Sequence, residues 1–184
     1  MGYHPSRMSV PPEALRKALS KITAALEGSG HKPVAIGAIA RQAWGAKRAA
    51  EGLELLTPSG AAHRDAILGA ARGEGFRQEP GAALRLTLND TKVGTTVSVD
   101  VIEAATPFHA QVIGRAQPGV VAGMNMKVAT CEDLLLLSPE REALIELLRA
   151  NAGRIDGAYL KREAEAAGIF DRIKAAWQEA KAQG

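Results

Sequence analysis

Two acidic side chains of this chain have the type and setting that phosphate and divalent-metal chemistry uses. Glu54 lies in the apolar segment 53–56 (LELL), and Asp100 lies among the valines of segment 97–101 (VSVDV). A carboxylate on a strand can hold a cation that bridges the phosphates of a nucleotide. An acid on the strand face opposite the valines also suggests an opening onto a cleft. We therefore take Glu54 and Asp100 as candidate catalytic and metal-ligating residues.

Residues that precede Glu54 could contact the phosphates themselves. Gly37 and Ala38 follow the short apolar run 33–36 and begin a helical pattern. A glycine at a strand-to-helix turn lets backbone N–H groups approach a phosphate at the positive end of the helix dipole. Arg48 adds a cationic side chain before the next strand. Gly37, Ala38 and Arg48 are therefore the candidate cofactor-binding residues, although Arg48 could equally be a surface residue and Glu54 a solvated one.

Periodicity predicts the elements that must position these residues. Apolar residues at helical spacing predict a helix over about 12–27, opened by Pro11-Pro12, and another over about 61–73. Strands are predicted, all in one mixed sheet with these helices packed on it, at 33–36, 53–56, 84–89 and 96–102.

The second half of the chain is predicted in less detail. Segment 108–115 is compatible with helix or strand, and 120–121 and 127–129 are predicted as short edge strands. From Thr130 the pattern is helical, with a capping box at 130–133 and Ser138-Pro139 capping a further helix. The order of elements predicts an α/β (α+β) fold, with residues 1–137 as its core and 138–184 as a C-terminal helical extension packed on it.

This ordered set of residues resembles the nucleotidyltransferase superfamily, particularly the AbiEii-type toxins. In that family a glycine-rich turn, an arginine and a D-x-D strand precede a third aspartate on a neighbouring strand. The corresponding residues here are Gly37-Ala38, Arg48, Gly52-Leu53-Glu54 and Asp100, and segment 128–134 (VATCEDL) is similar to the family's V-A-S-P-E-D-L. The resemblance covers roughly residues 15–165. It implies a mixed-sheet nucleotidyltransferase fold that uses Mg²⁺ and a nucleoside triphosphate when active.

The chain also departs from the family pattern at chemically important positions. Gly52 stands where the family has the first carboxylate of D-x-D, and Ala50 stands where it has threonine. The lysine that the family carries after E-D-L has no counterpart in segment 134–138. Since phosphoryl transfer depends on metal and cationic groups, we expect a degenerate site that binds a nucleotide, RNA or an antitoxin-like protein partner.

Two alternatives remain open. The chain could be an active transferase that moves a nucleoside monophosphate to an RNA or protein hydroxyl, with Glu54 and Asp100 as its carboxylates and Glu51 as a possible substitute for the missing one. It could instead be a structural or oligomeric module that retains the fold alone. No cofactor is expected to be tightly bound.

Composition narrows the class of protein. The chain of 184 residues is 46% hydrophobic and 23% charged, as in globular proteins, and no apolar run approaches the ~20 residues that cross a membrane. Residues 1–50 carry eight lysines and arginines against Glu13 and Glu27, a distribution that could attract phosphates or simply solvate a helix. One cysteine, Cys131, permits no internal disulfide, and segment 1–10 lacks the apolar stretch of a signal peptide. We expect a cytoplasmic protein.

Overall fold

The structure is a computed structural model, which describes residues 10–30, 32–58, 61–80 and 84–182. Strands and helices are mixed along the chain. The strands are β1 (Val34–Ile36), β2 (Gly52–Pro58), β3 (Arg77–Gln78), β4 (Leu84–Asp90), β5 (Thr95–Ala104), β6 (Gln117–Val121) and β7 (Met124–Val128). The helices are α1 (Pro12–Gly28), α2 (Gly37–Ala43), α3 (Ala61–Gly73), α4 (Pro107–Arg115), α5 (Cys131–Leu137), α6 (Arg141–Asn151), α7 (Gly157–Ala166) and α8 (Phe170–Ala182).

All seven of these strands form one mixed sheet in the order β3-β4-β5-β2-β1-β7-β6. β2 pairs with β5 in parallel, and β1 pairs with β7 in parallel, whereas the remaining neighbours are antiparallel. The sheet contains each of the four strands predicted at 33–36, 53–56, 84–89 and 96–102. The predicted mixed α/β fold is therefore confirmed.

The two central long strands have one closed face and one partly open face. Val97, Val99 and Val101 of β5 are buried, whereas Ser98 and Asp100 between them are partly exposed. This alternation follows from the two-residue period of a strand, because neighbouring side chains leave opposite sides of the sheet. The predicted separation of the valine face from the Asp100 face is correct.

Helix α1 covers part of this sheet, and its start follows from its sequence. Pro11 is the N-cap residue and Pro12 the first helical residue, a position where proline's missing N–H costs nothing. Leu15, Leu19 and Ile22 are buried and belong to one continuous hydrophobic core with the sheet. The predicted helix over about 12–27 is confirmed to within a residue.

Three details of the second half differ from the sequence predictions or resolve them. Segment 108–115, which was compatible with helix or strand, belongs to helix α4, which is capped by the Thr106 hydroxyl. β7, predicted as an edge strand, is an interior strand because it lies between β1 and β6. Ser138 does not cap α6, because the N-cap residue of that helix is Glu140. The Ser138 hydroxyl instead accepts a hydrogen bond from Arg41.

Helices α6, α7 and α8 add their apolar sides to the same core cluster. The boundary predicted after residue 137 remains a prediction. Within the residues described here, no helix combines the length and apolarity that crossing a membrane requires.

Candidate functional site

Three charged side chains form a row across adjacent strands on the partly open face of the sheet. Glu54 of β2 is the register partner of Asp100 of β5, and Asp100 is the register partner of Arg85 of β4. Residues directly opposite each other in a sheet share a face, and neighbouring strands are only about 4.8 Å apart. The structure therefore brings the two predicted carboxylates together and adds an arginine that the sequence analysis did not identify.

Arg85 binds Asp100 through both oxygens of its carboxylate. Nε of Arg85 donates to Oδ1 at 2.5 Å, and Nη2 donates to Oδ2 at 2.8 Å. Such a two-bond pair is the strongest arrangement between a guanidinium and a carboxylate. Asp100, by accepting these bonds, raises the pKa of Arg85 above its ordinary range. The carboxylate predicted to hold a metal is thus already engaged by a permanent cation of the same chain.

Glu54 directs its carboxylate to the first residues of α2. The backbone N–H of Ala38 lowers the pKa of this carboxyl. Gly37, with φ of +66°, lies so close that a Cβ on this residue would be 2.1 Å from Oε1 of Glu54. Gly37 and Ala38 were predicted to approach a phosphate; in the structure the group beside them is the Glu54 carboxylate.

The surroundings of Glu54 favour its neutral form. Burial raises the pKa of its carboxyl above the ordinary value of 4.5, and the negative charge of Asp100 raises it further. The positive charge of Arg41 and the Ala38 N–H act in the opposite direction but do not cancel these effects. Glu54 is therefore a partly buried acid whose ionisation is disfavoured, a property common at functional sites.

Gly52, at the position of the missing carboxylate, has no room for a side chain. A Cβ on Gly52 would be 2.5 Å from Oγ of Ser98 and 2.8 Å from the backbone oxygen of Ser98, its register partner on β5. The hydroxyl could rotate away, but the backbone oxygen could move only with β5. The close approach of β2 and β5 therefore leaves no space for a carboxylate at this position.

The arginines on the other side of the site are held by polar partners. Arg48 donates from Nη1 to Oε2 of Glu140 at 2.9 Å, and both side chains are exposed. Oε1 of Glu146 accepts hydrogen bonds from the backbone N–H groups of Lys47 and Arg48, which fixes this loop against α6. Arg41 of α2 donates from Nη1 to Oγ of Ser138 at 3.0 Å.

One open cavity of about 610 Å³ is lined by part of this set of residues, with Arg85 outside the lining. Its lining is mainly polar, and both charge signs are present. The charged residues in the lining are Arg41, Arg48, Glu51, Glu54, Asp100 and Glu140. Thr95, Thr96 and Ser98 add hydroxyl groups. A cavity of this volume lies in the ordinary range for small-molecule sites.

The residues of this cavity do not fit the divalent cation that the resemblance implies. Both oxygens of Asp100 are bound by Arg85, Glu54 faces the Ala38 N–H, and Gly52 supplies no oxygen ligand. Mg²⁺ is usually held by one or two carboxylates together with waters and substrate phosphates, but here Asp100 is paired with Arg85 and burial disfavours the charged form of Glu54. Nowhere in the described parts of the chain do three His, Cys, Asp or Glu residues come together in a group suited to a metal ion.

The E-D-L segment that resembles the family has a structural role in the C-terminal helices. The Thr130 hydroxyl accepts the N–H of Asp133 and caps α5, as predicted, but the Asp133 carboxylate does not complete a capping box. It is fully buried and accepts a hydrogen bond from the Tyr159 hydroxyl of α7 at 2.6 Å. Oε1 of Glu132 accepts the N–H of Asp156 at 2.7 Å, so both acids attach α7 to α5.

Cys131 lies at the start of α5, where the positive end of the helix dipole would by itself favour a thiolate. Its burial has the opposite effect. Burial, with the charge of Glu132 as the smaller cause, raises the pKa of the thiol to about 12. Cys131 is therefore a buried apolar residue of the core.

Comparison with solved structures identifies the fold. The antibiotic-resistance factor ANT(2'')-Ia matches with a TM-score of 0.52 at 14% sequence identity, and the match covers 94% of this chain and 94% of that one. An antigenic nucleotidyltransferase-like protein from Paracoccidioides brasiliensis matches with a TM-score of 0.50 at 12% identity, covering 91% of this chain and 86% of that one. No family model matches the sequence, and neither does any curated protein. The chain has the nucleotidyltransferase fold.

Two residues of the site escaped sequence reasoning. Arg85 alternates with the buried Leu84 and Leu86, so its exposure was predictable, but its pairing with Asp100 depends on the register of β4 with β5. Arg41 lies in a helix of seven residues, too short for its polar face to be assigned from periodicity.

Proposed function

We propose that this chain is a degenerate nucleotidyltransferase-fold protein that binds a ligand in its cavity without transferring a nucleotidyl group. The observation that carries the proposal is the pairing of both Asp100 oxygens with Arg85. It is supported by Gly52, where a carboxylate would collide with β5. Metal-dependent phosphoryl transfer needs carboxylates that are available to the metal, and here they are engaged elsewhere.

A nucleotide is the ligand that we propose first. The cavity of about 610 Å³ has the size of a small-molecule site. Beside four carboxylates, its lining holds two arginines and three hydroxyl groups suited to phosphate and sugar oxygens. We place the protein near the AbiEii-type toxins because of the ordered motifs from Gly37 to Asp133. RNA or an antitoxin-like protein are the further partners of this proposal. The cytosol is its proposed location, since the one cysteine, Cys131, needs no oxidising compartment.

Calorimetry with ATP, GTP, CTP and UTP tests binding, and transfer of a radiolabelled nucleoside monophosphate to RNA or protein tests catalysis. We expect saturable binding of at least one nucleotide and no transfer with or without Mg²⁺. Efficient transfer would make the active-enzyme alternative correct. Absence of both nucleotide binding and transfer would leave the RNA or protein partner, or the structural or oligomeric module.

Two variants show whether the measured binding occurs in this cavity. Arg41→Gln removes a lining charge beside Glu54 and should weaken nucleotide binding. Arg154→Gln removes an exposed charge from the turn between α6 and α7 and should leave binding unchanged. Equal loss in both variants would indicate general charge attraction rather than a site.

A further inference from the structure

The row Glu54–Asp100–Arg85 contains a cation of its own. The Arg85 guanidinium occupies both oxygens of Asp100, which are the atoms a divalent cation would need. Its side chain remains about half exposed, at 48%, so it is not sealed against the strand. The positive charge therefore lies on the open side of the sheet, paired with Asp100, which lines the cavity, while Arg85 itself lies outside the lining.

The chemistry of the guanidinium extends beyond this pair. Arginine carries five N–H donors in a fixed plane and is never deprotonated at physiological pH. The two bonds to Asp100 use two of these donors, from Nε and Nη2. Three N–H groups remain for an anionic ligand, and planar N–H pairs match the oxygens of a phosphate.

We propose that Arg85 replaces the divalent cation of this site: it neutralises Asp100 and binds the phosphate of a ligand directly, so that anion binding here is independent of metal. The inference deepens the proposed function, and it rests on that function for the ligand being a nucleotide. Its two parts, exclusion of metal from Asp100 and direct binding of phosphate, can each be measured without a nucleotide.

The first measurement uses Mn²⁺ and the full chain, with bound metal followed by electron paramagnetic resonance. Wild-type protein should show no Mn²⁺ binding that depends on Asp100. Arg85→Gln should gain Mn²⁺ binding at least about tenfold tighter than any background binding of the wild type, because the carboxylate is released. The gain should disappear in the double variant Arg85→Gln/Asp100→Asn.

The matched control is Arg77→Gln, which removes one positive charge from the neighbouring strand β3 without touching Asp100. It should bind Mn²⁺ as the wild type does. Thermal unfolding of every variant checks that the fold persists. We expect it to persist in the two arginine variants because Arg85 and Arg77 are exposed. If wild-type protein already binds Mn²⁺ through Asp100, or if Arg85→Gln gains nothing, the proposal is wrong.

The second measurement is calorimetry with inorganic pyrophosphate in the presence of EDTA. Wild type and Arg77→Gln should bind, and Arg85→Gln should lose about tenfold in affinity or more. Binding that requires Mg²⁺, or that is equal in Arg85→Gln, would overturn the metal-independent role. If both measurements succeed but no nucleotide binds, the proposed nucleotide ligand fails while the role of Arg85 stands.

Discussion

The carboxylate of Glu54 occupies the space that a side chain on Gly37 would need. A Cβ on Gly37 would lie 2.1 Å from Oε1 and 2.3 Å from Cδ of Glu54, and the backbone of Gly37 has φ of +66°. Glycine is therefore required at this strand-to-helix turn for two reasons: its backbone is in the left-handed region, and the Glu54 carboxylate leaves no space for a side chain.

Gly37→Ala should lower the free energy of unfolding by about 2–4 kcal/mol, the sum of a left-handed backbone and an overpacked contact. The matched control is Gly30→Ala, where φ is +82° but no atom lies within 4 Å of the new Cβ. That variant should lose only the backbone part, about 1–2 kcal/mol. Urea unfolding measures both, and equal losses would show that Glu54 exerts no steric constraint.

Glu54→Gln should reveal the cost of ionising this acid. Since burial raises its pKa in the fold, the stability associated with its neutral form is fully present below pH 4.5 and is lost as the pH rises through the folded pKa. The Gln variant stays neutral throughout. We expect it to be more stable than wild type at pH 7, with the advantage shrinking as the pH falls through the raised folded pKa towards 4.5 and absent below that value. Urea unfolding across this range measures the difference in the free energy of unfolding between Glu54→Gln and wild type. A difference that favours the variant less at pH 7 than at pH 4 would contradict the prediction.

Restoring the family's carboxylate should fail for steric reasons. Gly52→Asp, alone or with Glu54→Asp, places a Cβ against the backbone oxygen of Ser98 and should cost about 1–3 kcal/mol. Gly28→Ala, with nothing within 4 Å, is the control and should not be destabilised. Chemical unfolding and Mn²⁺ titration test this, and a stable Gly52→Asp variant with a new metal site would contradict the packing argument.

The buried pair of Asp133 and Tyr159 should hold α7 in place. Tyr159→Phe removes a buried hydrogen bond of 2.6 Å and should cost about 1–2 kcal/mol, while Asp133→Asn should cost about 1–3 kcal/mol. Arg115, whose guanidinium lies 3.7 Å from the Tyr159 ring centre, also faces Asp133. The double variant should lose less than the sum of the two single losses, because the residues share one interaction. Strict additivity in urea unfolding would show that the bond contributes little.

Cys131 should react slowly in the folded protein. With a thiol pKa of about 12, against an ordinary 9.0, the thiolate fraction at pH 8 is lower by on the order of a thousandfold. We expect iodoacetamide to label the native protein very slowly and the protein in urea at the rate of a free cysteine. Rapid labelling under native conditions would show that Cys131 is accessible.

The parts of the fold that depend on local pattern were predictable from the sequence. The apolar stripe of α1 and the alternating valines of β5 each identified an element and its buried side. The placement of β7 beside β1 was not predictable in this way, because it depends on a pairing between distant parts of the chain. Hydrophobic periodicity shows which side of a helix or strand is buried, but it does not show which element packs beside it.

The same division applies to the site. Glu54 and Asp100 stood out because an acid inside an apolar strand needs an explanation. Arg85 did not, because an arginine on a hairpin strand is common, and its meaning comes from the register that opposes it to Asp100. The lack of room at Gly52 depends on its distance from Ser98, which no sequence pattern encodes.

The position of β1 between β2 and β7 has a consequence for folding. β1 can pair with β2 early, but its other edge is covered only when Val34 and Ala35 meet Lys127 and Val128. Closing so long a loop is slow, and until it happens a buried, fully apolar strand exposes its unpaired backbone groups. The edge of β1 that β7 covers is therefore protected only after the segment up to Val128 has been added to the sheet.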